Sequence, residues 1–195
     1  NGYFFVLDRR SGKPISVENF VPVNWADGYD TKTWRPKVRK EARYDVNGGD
    51  WLGLPSAYGA HNWHPMAYSP DTGLVYIPVQ NQPFGYADDP NFKYTPGRWN
   101  LGDASAQNIG PRTPEGLAAL KAMSKGELLA WDPVAQTARW RVPHTSPGNG
   151  GVLATAGNLV FQGTAEGEFA AFRADTGEKV WSFQGHNGII APPMT

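Results

Sequence analysis

Ala171–Trp181 reads AFRADTGEKVW, and its outline returns twice more along the chain. Ala130–Trp140, AWDPVAQTARW, has the leading alanine, an aspartate two residues on at Asp132, and a closing tryptophan ten residues on. Val6–Ser16, VLDRRSGKPIS, has the aspartate as Asp8 and sets Ser11-Gly12 where the first copy has Thr176-Gly177. Each copy is an apolar run, a polar turn and a second apolar run. Alternation through Phe169 to Arg173 and Lys179 to Phe183 suits two half-buried strands. Asp-Thr-Gly supplies the positive φ that a tight turn needs. A hairpin repeated in this way marks a propeller or solenoid, in preference to chance meander pairs in a sandwich. The closing tryptophan is too large to hide in one hairpin, so it is expected to dock between neighbouring four-stranded units.

Composition agrees. With 23 glycines, 17 prolines and 13% aromatic residues in 195, the chain is a turn-rich β protein. Lysine plus arginine equals aspartate plus glutamate at 18 each, which gives no electrostatic case for nucleic acid or a membrane surface. There is no cysteine, so disulfides, thiolate metal sites and c-type haem attachment are excluded within these residues. Within these residues no stretch reads as a leader or a transmembrane run. The chain opens inside a strand and ends on GIIAPPMT, and both ends read as cuts through a larger propeller.

In chain order, residues 1–16 form a half blade. Residues 17–59 read as irregular, and the basic run Arg35 to Arg43, interrupted by Glu41, reads as a solvated loop. Residues 60–142 make a blade around a long insertion, 80–123, whose end carries a short helix from Pro114 to Met123. Leu74 to Val79 is apolar nearly throughout, as befits a strand buried on both faces. Residues 150–183 make a further blade, and 188–195 begin another. The expectation is an all-β partial propeller of about 2.5 four-stranded antiparallel blades. Long loops on such a scaffold usually belong to its functional rim.

The hairpin repeat resembles the tryptophan-docking motif of the pyrroloquinoline quinone (PQQ) dependent alcohol dehydrogenases, Ala-x-Asp-x-x-Thr-Gly-Lys/Glu-x-x-Trp. The copy at Ala171 departs from it at Arg173, and the copy at Ala130 departs at Ala135 and Gln136. NGYFFVLDRRSGK, AHNWHPMAYSPDTGLVYIP, GELLAWDPVAQTARW and NGGVLATAGNLVFQGTAEGEFAAF are similar to that quinoprotein family in the same order. The resemblance implies part of an eight-bladed propeller that holds PQQ and calcium near its axis and oxidises primary and secondary alcohols by hydride transfer. It implies a periplasmic location and, as partner, the remainder of the propeller. Asn62 and Trp63 match the family's Asn-Trp pair, which contacts PQQ at the axis end of an innermost strand. An amide donor suits a quinone or carboxylate oxygen, and an indole offers flat area. Asn149, with Gly150 and Gly151, matches a second axis-facing segment, where glycines permit close approach to a flat ligand. The family carries a tryptophan at or just before that point, where this chain has Gly148. The family's catalytic base and calcium ligands fall in segments other than this one, so the resemblance assigns no catalytic residue and no metal ligand here.

His61 and His64 invite a metal reading, but on a strand they face opposite ways and no third ligand is near. His144 and His186 read as surface or turn histidines. Two other functions compete with the dehydrogenase reading. One is an inactive binding module that completes its sheets by self-association. The other is a hydrolase, but Ser56, Ser105, Ser124 and Ser146 lack the Gly-x-Ser-x-Gly setting of a nucleophile elbow.

Overall fold

The computed structural model describes residues 1–104 and 113–195; Ser105 and the rest of the insertion from 105 to 112 lie outside the described residues. The fold is antiparallel β-sheet, set out as blades of a propeller. β1 (Tyr3–Leu7) and β2 (Pro14–Asn19) form the first hairpin. After β3 (Ala26–Tyr29), β4 (Pro36–Val38) and β5 (Trp51–Gly53) comes a four-stranded sheet of β6 (Ala67–Ser69), β7 (Leu74–Asn81), β9 (Lys125–Asp132) and β10 (Thr137–His144). β8 (Phe84–Tyr86) leaves that sheet to pair with β5. A second four-stranded sheet joins β11 (Val152–Thr155), β12 (Leu159–Gly163), β13 (Glu168–Arg173) and β14 (Lys179–Gln184) in chain order.

The central strands of the middle sheet, β7 and β9, are buried on both faces, and their two-residue period sorts the core into two layers. Tyr76, Leu128 and Ala130 face the second sheet, where Val152, Val160, Ala170 and Phe172 meet them. Ile77, Val79, Leu129 and Trp131 face the other way, onto Phe4 of the first hairpin and Phe20 and Val21 just after it. This is why Leu74 to Val79 of β7 reads as apolar nearly throughout. The helix Pro114–Met123 forms where expected, with the Thr113 side chain accepting from the Gly116 amide as N-cap.

Four hairpin turns, those after β1, β3, β6 and β13, close alike. The residue-12 amide donates to the Asp8 carbonyl, Trp34 to Asp30, Gly73 to Ser69 and Gly177 to Arg173. The closing residue has positive φ in every case: 69° at Gly12, 56° at Trp34, 69° at Gly73 and 75° at Gly177. Gln136 takes φ 55° in the copy that lacks the glycine. Asp8, Asp30 and Asp132 each use Oδ1 to accept the next amides of the turn, which holds the Asp8 and Asp30 carboxyls below their ordinary range.

Three expectations need correction. Residues 17–59 are not uniformly irregular: β3 and β4 form a hairpin and β5 pairs with β8. Arg35 to Arg43 runs through β4 into a one-turn 3₁₀ helix, Lys40–Ala42, with Arg39 paired to Asp27. Residues 188–195 form no strand; the Ile189 amide donates to the Thr164 carbonyl, which ties the segment down over the second sheet.

Candidate functional site

The tight turns and the long connections separate to opposite ends of the sheets. Turns 8–13, 70–73, 133–136, 156–158 and 174–178 lie at one end. The loop ahead of β6, the described parts of the insertion at 82–104 and 113–124, and the segments 145–151, 164–167 and 185–190 all lie at the other. Asn62, Trp63 and Asn149 are therefore on the loop-bearing end.

The residues 61–66 form a loop ahead of β6, and this corrects the placement of Asn62 and Trp63 on a strand. The strand geometry that sent His61 and His64 to opposite faces falls with it. His61 folds back, and its Nε2 lies 2.6 Å from the His64 carbonyl oxygen. A carbonyl only accepts, so His61 carries its proton on Nε2. Asn62 Nδ2 donates to the Tyr58 carbonyl at 3.0 Å, which spends one of its two amide hydrogens. Trp63 is 66% exposed and stacks on His64, with ring centroids 4.0 Å apart and planes 27° apart. Burial lowers both imidazoles from their ordinary value, so the loop favours neutral histidines.

This loop is clamped to the next one. The Val152 amide donates to the Pro65 carbonyl at 3.0 Å. A Cβ on Gly151 would stand 2.4 Å from Pro65 Cδ, so only glycine lets the two segments close. The structure thus brings the loop of Asn62 and Trp63 against the segment of Asn149. Asn149 itself is 3% exposed and committed to the chain at both ends of its amide. Its Nδ2 donates to the Ser146 carbonyl at 2.7 Å, and its Oδ1 accepts from the Ala165 amide at 3.2 Å. The space a Cβ would take at Gly150 is filled by the carbonyls of Gly163, Ile189 and Ile190. These glycines serve loop packing within the chain.

Sequence reasoning missed the histidine beneath this network. His144 ends β10 with its Nε2 at 2.9 Å from Gln162 Oε1, and Gln162 Nε2 donates to the Gly150 carbonyl at 2.9 Å. It is a half-buried strand residue whose imidazole burial pushes down, not a turn histidine. The fully buried Gln162, an amide within an apolar strand, was the one available signal. Among the described residues no three of His, Cys, Asp and Glu come together as a metal site.

Trp63 and Asn62 fit one wall of a site for a flat, oxygen-rich ring system. The indole is held flat and open, and the second Asn62 amide hydrogen has no partner among the described residues.

No family model matches the chain. It is 50% identical over 200 residues to a quinohemoprotein alcohol dehydrogenase of Comamonas testosteroni, covering all of this chain and 27% of that protein. It is 47% identical over 197 residues to the dehydrogenase subunit of a quinone alcohol dehydrogenase from Gluconacetobacter polyoxogenes, again covering all of this chain and 27% of the relative. The solved quinohemoprotein alcohol dehydrogenase ADHIIG of Pseudomonas putida superposes with a TM-score of 0.92 at 43% identity, over 98% of this chain and 28% of that one. The chain spans about a quarter of the length of the curated relatives it matches.

Proposed function

From the premise that this chain is a member of the quinoprotein alcohol dehydrogenase family along its whole length, we propose that it builds one wall of the site that holds PQQ during alcohol oxidation. When bound, PQQ supplies the two-electron acceptor that takes hydride from a primary or secondary alcohol. Trp63 offers a flat apolar face to the ring system, and Asn62 donates an amide hydrogen to one of its oxygens. Asn149 acts indirectly, by holding the segment that abuts Pro65. The calcium ion and the base that accepts the alcohol proton belong to other segments of the propeller, which are this chain's partners in catalysis. A periplasmic location follows from the family; no helix among the described residues is long and apolar enough to cross a membrane.

The observation that carries this reading is Trp63, an indole left two-thirds open yet held flat on the end of the fold where the long loops gather. The test is PQQ titration of the calcium-loaded apo form of the native protein, with alcohol oxidation followed by an artificial electron acceptor. Asn62→Ala and Trp63→Ala should each weaken PQQ binding by about tenfold, the worth of one lost hydrogen bond or aromatic contact. Unchanged binding in both variants would contradict the assignment.

One observation favours a second reading. Phe161, Phe169 and Trp181 form an aromatic row on the outer face of the second sheet, with Trp181 51% exposed and β14 an open edge. An inactive module that self-associates through this face would be a cofactor-free homo-oligomer by native mass spectrometry.

A further inference from the structure

We infer that His64 is a positioning residue for Trp63, its imidazole serving as the rigid floor that fixes the indole plane presented to the cofactor. The inference rests on the functional reading of Trp63 above. An indole that is 66% exposed gains little from burial, and its Nε1 has no partner among the described residues. Nothing in that state holds a single rotamer. The contact that does is the stack on His64, at 4.0 Å and 27°.

The backbone that carries this floor is itself held. The His64 carbonyl accepts from His61 Nε2 at 2.6 Å, and the next carbonyl, of Pro65, accepts from the Val152 amide at 3.0 Å. Pro65 also restricts the residue before it to extended backbone. His64 is therefore tied on both sides, to its own loop by His61 and to the adjacent blade through β11. The backbone that carries the imidazole is thus fixed on both sides, and the indole lies on that imidazole. This gives both histidines of the motif a role with no metal: His61 shapes the loop, and His64 supports the ring. An aromatic contact of this kind is worth roughly three- to tenfold in an equilibrium.

The experiment is a double-mutant cycle on the native protein, read as the PQQ dissociation constant of the calcium-loaded apo form, with thermal unfolding measured beside it. His64→Ala should weaken PQQ binding three- to tenfold. His64→Phe, which keeps a flat ring, should stay within about twofold of the parent. In a Trp63→Ala background, His64→Ala should have no further effect, because the ring it supports is gone. If His64→Ala does not fold, His64→Leu takes its place, filling volume without a planar face. The inference is overturned if His64→Ala binds like the parent, if His64→Phe binds as weakly as His64→Ala, or if the His64 effect is equal with and without Trp63. These results leave the reading of Trp63 standing whenever Trp63→Ala itself weakens binding. A silent Trp63→Ala would remove that reading and this inference together.

Discussion

Trp140 of the middle sheet lies over Gly177 in the turn of the second sheet, so that a Cβ at residue 177 would stand 2.7 Å from Trp140 Cε3. The same indole donates its Nε1 hydrogen to the Ala174 carbonyl at 3.0 Å. One glycine therefore does two things: it takes φ 75° and clears the seat for the neighbouring blade's tryptophan. Gly73, at φ 69° with open space where its Cβ would be, does only the first. Gly73→Ala should cost about 1 kcal/mol, the penalty for a left-handed alanine. Gly177→Ala should cost at least about 2 kcal/mol more through the displaced indole. Thermal unfolding checks this, since each kcal/mol is worth about 2–4 °C at this size.

The two closing tryptophans should differ in the same assay. Trp140 packs on Tyr76 and is bonded across the blade interface, whereas Trp181 is 51% exposed. Trp140→Ala should cost about 3 kcal/mol. Trp181→Ala should cost under about 1 kcal/mol in this chain. Equal losses would mean that the docking contact contributes little.

Asn149 and Asn62 should separate stability from binding. Asn149→Ala leaves the partly buried Ser146 carbonyl and Ala165 amide without this partner, and should lower stability by about 2 kcal/mol. Asn62→Ala removes one exposed contact and should leave the unfolding temperature within about 2 °C, while weakening PQQ binding. An Asn149→Ala variant that unfolds at the parent temperature would show that the loop is held by other means.

Acid should weaken the fold. Burial lowers His61, His64 and His144 below the ordinary imidazole value of 6.5. As pH falls through 6.5 the unfolded chain binds protons that the fold resists, so stability is full above that value and is lost below it, down to the folded values. Glu127 has the opposite sign: burial raises its carboxyl above 4.5, so the fold gains from its protonation as pH approaches that value. The unfolding temperature should therefore drop between about pH 7.5 and 5.5, and His144→Gln, which keeps a donor for Gln162, should flatten part of that slope. A pH-independent unfolding temperature would contradict the burial of these imidazoles.

The blades were legible because the two-residue period and the Thr-Gly turns are local signals. The hairpin of β3 and β4 is hidden because its turn, Asp30 to Trp34, puts tryptophan where three of the other turns put Gly12, Gly73 and Gly177. Its aspartate was still present, and Asp30 Oδ1 accepts the Lys32 and Thr33 amides as Asp8 does in the first hairpin. At the site, the residues of the Asn-Trp pair were legible by family pattern, but their support was not. The clamp between Pro65 and Val152 joins residues 87 positions apart, and the His144–Gln162 bond joins two strands of different sheets. Neither leaves a local pattern. In the sequence Gly150 and Gly151 suggest room for a ligand, whereas that room is taken by the chain's own backbone and Pro65.

The most direct test of the central claim is a crystal structure of the native protein with PQQ and calcium bound. The quinone should lie against the Trp63 indole, with Asn62 Nδ2 donating to one of its oxygens and His64 still stacked beneath the indole. Quinone density away from the 61–66 loop, with Asn62 and Trp63 turned to solvent, would contradict it.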